Sequence, residues 1–365
     1  MIGTHSIAQL LSTTFEPMNL NQQSEIVRLA NTLGIYGHPQ PADAILEYCF
    51  KRVQGWIDEI GGVDSLGVLE KLVCNKLRLK LEYIEDDDDY TRILNTYKAK
   101  GEVVIEHLLQ QLDHATFGGV FQRLHASAKD RDHFVAVIDC RGAKRHRRFF
   151  TKWHEIAHIL TLKHQMDLIF LRDTKVKKPE ERMMDLIAGR VGFYPSVFQR
   201  AFKAELEAYG RFDFGLVQRV RDNVCPEASY ESALHACITA YDRPCLLVKV
   251  GYGLSKAEED AASDRQTSFL ADEQPIPQLR ALSSQGNEVA RKTGLRLHRN
   301  MRVPAGSHLY RAYMEGVLGE EDLAAIRREN LSVWEHSDGR QLPPREVTVY
   351  TRMQGEMLQA LLVDC

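Results

Sequence analysis

Apolar residues recur at helical spacing through the first part of the chain. Asn21–Leu33 reads as one helix, and Leu66–Leu77 as another. Between them a helix opens at Pro41 and carries Ala44, Leu46, Phe50, Val53 and Ile57 toward Gly61-Gly62. The period then drops to two: LRLKLEYI, ending at Ile84, predicts a strand. Gly101–His114 returns to helical spacing, and Gly119–Leu124 and His133–Cys140 predict two short strands. Thr151 is placed to cap an almost wholly apolar helix through Trp153, Ile156, Ala157, Ile159 and Leu160. Pro179 with acids behind it marks a further helix start. Helical character continues through Phe198–Leu206 and fades over Asp213–Asn223.

Beyond that the texture changes. Arg243–Val250 predicts a strand, Ala257–Ser283 is largely polar and loop-like, and strands are expected at Gly294–Val303, His308–Met314, Asn330–Glu335, Glu346–Met353 and Met357–Val363. The expectation is an α+β chain of two domains, 1–205 and 206–365, the second smaller and strand-rich.

The apolar helix carries chemistry. His154-Glu155-Ile156-Ala157-His158 is an H-E-x-x-H run. Residues four apart share a helix face, so His154 and His158 can grip one zinc ion, with Glu155 beside them to take a proton from the attacking water. Buried histidines and a buried glutamate are costly unless paired or metal-bound. A catalytic zinc takes a third protein ligand. Glu181 and Asp185 are four apart at the start of the next helix. Glu181 can reach the metal, and Asp185 can accept the remaining ring N–H of a ligand histidine. Glu180 is the rival ligand but has no acid four residues on.

Residues from about 148 to 198, RFFTKWHEIAHILTLKH and then PEERMMDLIAGRVGFYPSVF, resemble the ImmA/IrrE family of bacterial metallopeptidases. The resemblance implies a zincin-like domain, with His154, His158 and Glu181 as zinc ligands and Glu155 as general base. It makes Asp185 the acid behind the ligands and Pro195 the end of the helix. Two departures stand out: Trp153 where the family has a small residue, and one extra residue between Asp185 and Pro195. Some members carry a C-terminal domain like a GAF sensor, and the texture here is similar. The family implies a cytoplasmic zinc endopeptidase that cleaves a helix-turn-helix repressor after DNA damage or phage attack, with room for single-stranded DNA as activator. The alternative is a non-catalytic regulatory protein that binds a ligand or nucleic acid and uses zinc structurally.

Composition narrows this further. The chain has 365 residues, 44% hydrophobic and 27% charged, with a net charge of −3, so nothing draws it globally to nucleic acid. No run approaches the length of a membrane span, and no export signal is evident. Seven scattered cysteines without a C-x-x-C pair suggest reduced thiols. Cys140, at the end of a strand before the zinc helix, could close the metal's open position, although a small buried strand cysteine is the simpler reading.

Several features admit two readings. The acidic run Glu85–Asp89 reads as a solvated loop before a metal or basic partner. Arg141–Lys152 holds six basic residues and is either a phosphate-binding loop or a solvated connection. Arg291, Lys292, Arg296, His298, Arg299 and Arg302 form a second basic patch. Tyr194 and His164 are candidates to stabilise an oxyanion, and Trp56, Trp153 and Trp334 are expected in the core.

Overall fold

A computed structural model describes residues 20–112, 116–126, 131–162, 169–173, 178–255, 258–259, 276–317, 327–336 and 339–365. It is a mixed α+β chain with two sheets. It divides into two compact units. One holds the described residues up to Ala204 together with Val220–Ala236; the other holds Glu205–Arg219 and Cys237–Cys365. The return of Val220–Ala236 to the first unit is marked by no shift in composition. Among the described residues no helix is long and apolar enough to cross a membrane.

In the first unit α1 (Leu20–Thr32), α2 (Pro41–Glu59) and α3 (Leu66–Leu77) follow the helical periodicity. Its sheet joins β1 (Leu79–Ile84), β2 (Thr116–Gln122), β3 (Phe134–Asp139) and β4 (Ile169–Asp173) in the order β1-β3-β2-β4. Only β1 and β3 run parallel; β2 is antiparallel to both β3 and β4. Strand β4, unmarked in the sequence pattern, forms the edge beside β2. Val135, Val137 and Phe121 pack with α4 (Asp87–Lys98) and α5 (Val104–Gln110) in one core. Side chains alternate across a strand, so Gly118 on β2 faces the other way, toward α6 (Arg148–Leu160). Helix α7 (Pro179–Gly192) packs on α6.

Three local expectations are corrected here. The acidic run is a helix start: Asp86 accepts from the Asp89 backbone N–H at 2.9 Å, and Asp87–Asp89 fill the first turn of α4, where the helix dipole favours them. Thr151 lies inside α6 and is buried, because a 3-10 turn over Gly142–Arg147 feeds directly into the helix three residues earlier. Pro195 opens α8 (Pro195–Tyr209), while α7 has already ended at Gly192.

The two charged runs explain each other. Strands β1 and β3 are parallel and in register from Leu79↔Phe134 to Ile84↔Asp139, so the segments leaving them emerge side by side. Arg148 pairs with Glu85 at 2.9 Å and lies over the Tyr83 ring at 3.8 Å. Arg141 and Lys144 both pair with the buried Asp139, at 2.9 and 2.5 Å. Burial would raise the Asp139 carboxyl, but hydrogen bonds from Arg141 and Lys144 hold it below the usual carboxylate range. Lys152 is 2% exposed and sits between Glu70 and Glu227, the latter on the returning segment. The basic stretch is therefore largely consumed by internal ion pairs, which disfavours its reading as a phosphate loop.

The second unit is built on a five-stranded antiparallel sheet. Strands β5 (Cys245–Gly253), β6 (Gln278–Gly286), β7 (Arg327–Asn330), β8 (Glu346–Gln354) and β9 (Met357–Asp364) lie in the order β6-β5-β9-β8-β7. The β8–β9 hairpin turns at Gly355, whose φ of 61° suits a residue without Cβ. Helices α9 (Phe214–Val224) and α10 (Tyr230–Ala240) precede this sheet in the chain. Short α11 (Glu288–Lys292) and α12 (His308–Val317) contribute Ala290, Leu309, Ala312 and Tyr313 to its core. The strand expected over His308–Met314 is thus a helix: Leu309, Ala312 and Tyr313 share one face, and Ser307 caps it by accepting from the Tyr310 N–H. Gly294–Val303 forms no regular strand, making only a single bridge from Arg302 to Arg280. Trp153 and Trp334 are core residues, whereas Trp56 is half-buried beneath the Arg52 guanidinium.

Breaking a buried ion pair from one side costs about 3 kcal/mol or more, whereas replacing all of it by apolar groups is near neutral. Glu70→Gln with Glu227→Gln should therefore lower stability by about 3 kcal/mol in urea denaturation, and adding Lys152→Met should restore most of it. Failure of the third substitution to rescue would show that Lys152 does not seat α6 through these acids.

Candidate metal centre

Helices α6 and α7 run antiparallel, and their contacts climb one as they descend the other. Thr161 meets Met184 at 3.6 Å, His154 meets Asp185 at 2.8 Å, and the Phe149 and Phe193 rings lie 4.7 Å apart. Two features allow this close pairing. A Cβ at Gly192 would lie 2.8 Å from the Trp153 ring, so the absent side chain on α7 makes room for the large one on α6. At its far end α6 is held by Arg52, which donates to the Leu160 carbonyl at 2.9 Å, where a cation suits the helix C-terminus.

This packing brings three expected ligands to one point. The donor atoms of His154, His158 and Glu181 all lie within 4.8 Å of one another, and both histidines are buried. His154 Nε2 is 3.0 Å from Glu181 Oε2 and 3.2 Å from His158 Nε2; His158 Nε2 is 3.6 Å from Glu181 Oε1. A tetrahedral ion with bonds of about 2.0–2.1 Å needs donors about 3.3 Å apart, so these edges suit one. His154 Nδ1 faces Asp185 Oδ1 at 2.8 Å. With its proton on Nδ1, His154 turns an unprotonated Nε2 toward a carboxylate, acceptor against acceptor, and a cation relieves that opposition. The residues present therefore fit a divalent metal held by two imidazoles and one carboxylate, with Asp185 fixing the tautomer of one imidazole.

Glu155 occupies the neighbouring face of α6 and is fully buried. A Cβ at Gly118 would stand 3.2 Å from Glu155 Oε1, 2.8 Å from Thr151 Cγ2 and 3.1 Å from the Val137 carbonyl. Only glycine at 118 lets α6 lie this close to β2. Reasoning from sequence did not single out Gly118, although a glycine pair inside a strand signals close backbone approach.

The other candidates fall elsewhere. Glu180 is not among the converging donors; partial desolvation, ahead of the charges of Glu25 and Glu181, raises its carboxyl. Tyr194 donates to Gln54 Oε1 at 2.9 Å and packs on Phe50, so its hydroxyl is engaged on α2. His164 lies outside the described residues. Cys140 is not among the converging donors; its charged surroundings are Arg148, Glu85, Asp139 and Glu227, at the opposite end of α6 from His158. Burial pushes its thiol up to about 11.

No protein-family model matches this chain, and no curated protein matches it.

Two outcomes follow from the geometry. Asp185→Asn should weaken zinc binding by about tenfold to a hundredfold in chelator competition without abolishing it, because the partner behind a ligand histidine orients it. An unchanged affinity would detach Asp185 from the site. Of the seven cysteines only Cys365 is exposed, and burial holds Cys49, Cys74, Cys140, Cys225 and Cys245 well above the ordinary thiol range. At pH 8 the native protein should show one fast-reacting thiol toward Ellman's reagent, absent in Cys365→Ser. Fast labelling of Cys140 would show that its thiolate is accessible after all.

Proposed function

We propose that the chain is a zinc-dependent endopeptidase of the ImmA/IrrE type. The observation that carries this reading is the convergence of His154, His158 and Glu181 with Asp185 behind His154, on the helix that also buries Glu155. Zinc bound there would acidify its water and polarise the scissile carbonyl. Glu155 takes the proton of the attacking water and passes it to the leaving amine. His154 and His158 remain neutral so that both can act as donors, and Asp185 keeps the His154 tautomer correct. Gly118 lets the helix that carries Glu155 pack close to β2, and β4 offers a sheet edge where an extended substrate can add as a strand.

The substrate is a helix-turn-helix repressor and the working compartment the cytoplasm, both taken from the resemblance of residues 148–198 to that family. The smaller unit, an antiparallel sheet with helices packed on it, serves as the GAF-like sensor part, and single-stranded DNA is the activator to try first.

Purified protein should hold one zinc per chain by elemental analysis, lost in Glu181→Ala. Glu155→Gln should keep the zinc and abolish cleavage of a repressor encoded beside it, with or without single-stranded DNA. Zinc retained with cleavage unimpaired would remove Glu155 from the chemistry, and a wild type without zinc would overturn the reading as a whole.

A further inference from the structure

The second unit contains a cavity of about 1030 Å³, at the upper end of the size of ligand clefts. It is lined by β6 and by the segment paired beside it, and Tyr252, Tyr310, His298, Arg299, Arg302 and His336 are among its lining. That segment is held firmly. Asn300 N–H donates to the Ala281 carbonyl at 2.8 Å, and Val303 N–H donates to the Leu279 carbonyl at 2.9 Å. Asn300 adopts φ 66°, a left-handed turn that asparagine tolerates better than most residues. Buried Arg280 pins this turn from inside: it donates to the Asn300 carbonyl at 3.0 Å and the Gly253 carbonyl at 3.2 Å, and pairs with Glu258 at 3.1 Å.

Arg280 is thus spent on the fold, whereas Arg299 and Arg302 are exposed on the cavity wall. Among the described residues neither meets an acid in an ion pair. The second basic patch of the sequence therefore separates by role: Lys292 is taken by Glu288 at 2.7 Å, while His298, Arg299 and Arg302 turn to the cavity. The same lining carries flat rings. The His298 and His336 rings lie 5.2 Å apart, and Tyr252 is 57% exposed. Glu335 is the single acid among the described lining residues and can accept an N–H.

We infer that this cavity binds a free nucleoside monophosphate, its phosphate between Arg299 and Arg302 and its base against the Tyr252 and histidine rings. Guanidinium groups fork onto phosphate oxygens, and rings stack on bases with little regard to sequence. A mononucleotide fits better than a strand because the cationic lining is confined to one short segment, where a strand needs a track of cations along its backbone. The inference stands apart from the metal site and survives or fails without it.

The test is isothermal titration of the full chain with AMP, GMP, CMP and UMP, beside inorganic phosphate and a dT12 oligonucleotide. At least one mononucleotide should bind, and more tightly than phosphate. Arg299→Gln with Arg302→Gln should weaken that binding at least tenfold with the unfolding transition unchanged, and Tyr252→Ala should weaken the nucleotide but not phosphate. Absence of binding by all four nucleotides, binding indifferent to the arginine pair, phosphate binding as tight as the nucleotide, or binding of dT12 alone would each overturn the inference.

Discussion

Burying two imidazoles and a glutamate on one enclosed helix is the constraint on which the first unit depends. Each of those groups loses water when α6 packs against the sheet, and each must recover that loss from a partner. Helix α7 supplies the recovery for the histidines, and it can do so only at the close approach that Gly192 permits to Trp153. The large Trp153 is thus accommodated across the helix pair rather than along the chain. Beside Glu155 the same economy operates through Gly118, so both walls of the site are set by the absence of a side chain.

What could be read in the sequence was what depends on local spacing. Four-residue separations put His154 with His158 and Glu181 with Asp185, and the geometry brings these pairs together because antiparallel helices bring such faces into contact. Pro41 and Pro179 announced their helices for the same local reason. What escaped depended on partners far away in sequence. The acidic run looked solvated, and the basic run either solvated or phosphate-binding, because Glu85 and Arg148 are 63 residues apart, and the parallel pairing of β1 with β3 makes them neighbours. Helix α12 was mistaken for a strand since a short apolar alternation fits both periods, and its cap at Ser307 decided the matter. Strand β4 carried no readable signal of its own.

The two units also spend their arginines differently. In the first, cations bind the ends of strands to the start of the helix that carries His154 and His158, so their charge is internal and structural. In the second, a single buried arginine, Arg280, supports a turn whose other arginines stay at the surface. Basic runs of similar density in the two sequence segments therefore mean opposite things, and the acids within reach tell them apart.

The chain's path through Val220–Ala236 bears on how such a protein can be taken apart. Glu227 lies on that returning segment and partners Lys152, one residue from the tryptophan that α7 accommodates. A protein ended at residue 205 would retain all three converging donors yet leave its central helix with one of its two acids missing. The chain passes between the two units more than once, so no single cut in the sequence separates them.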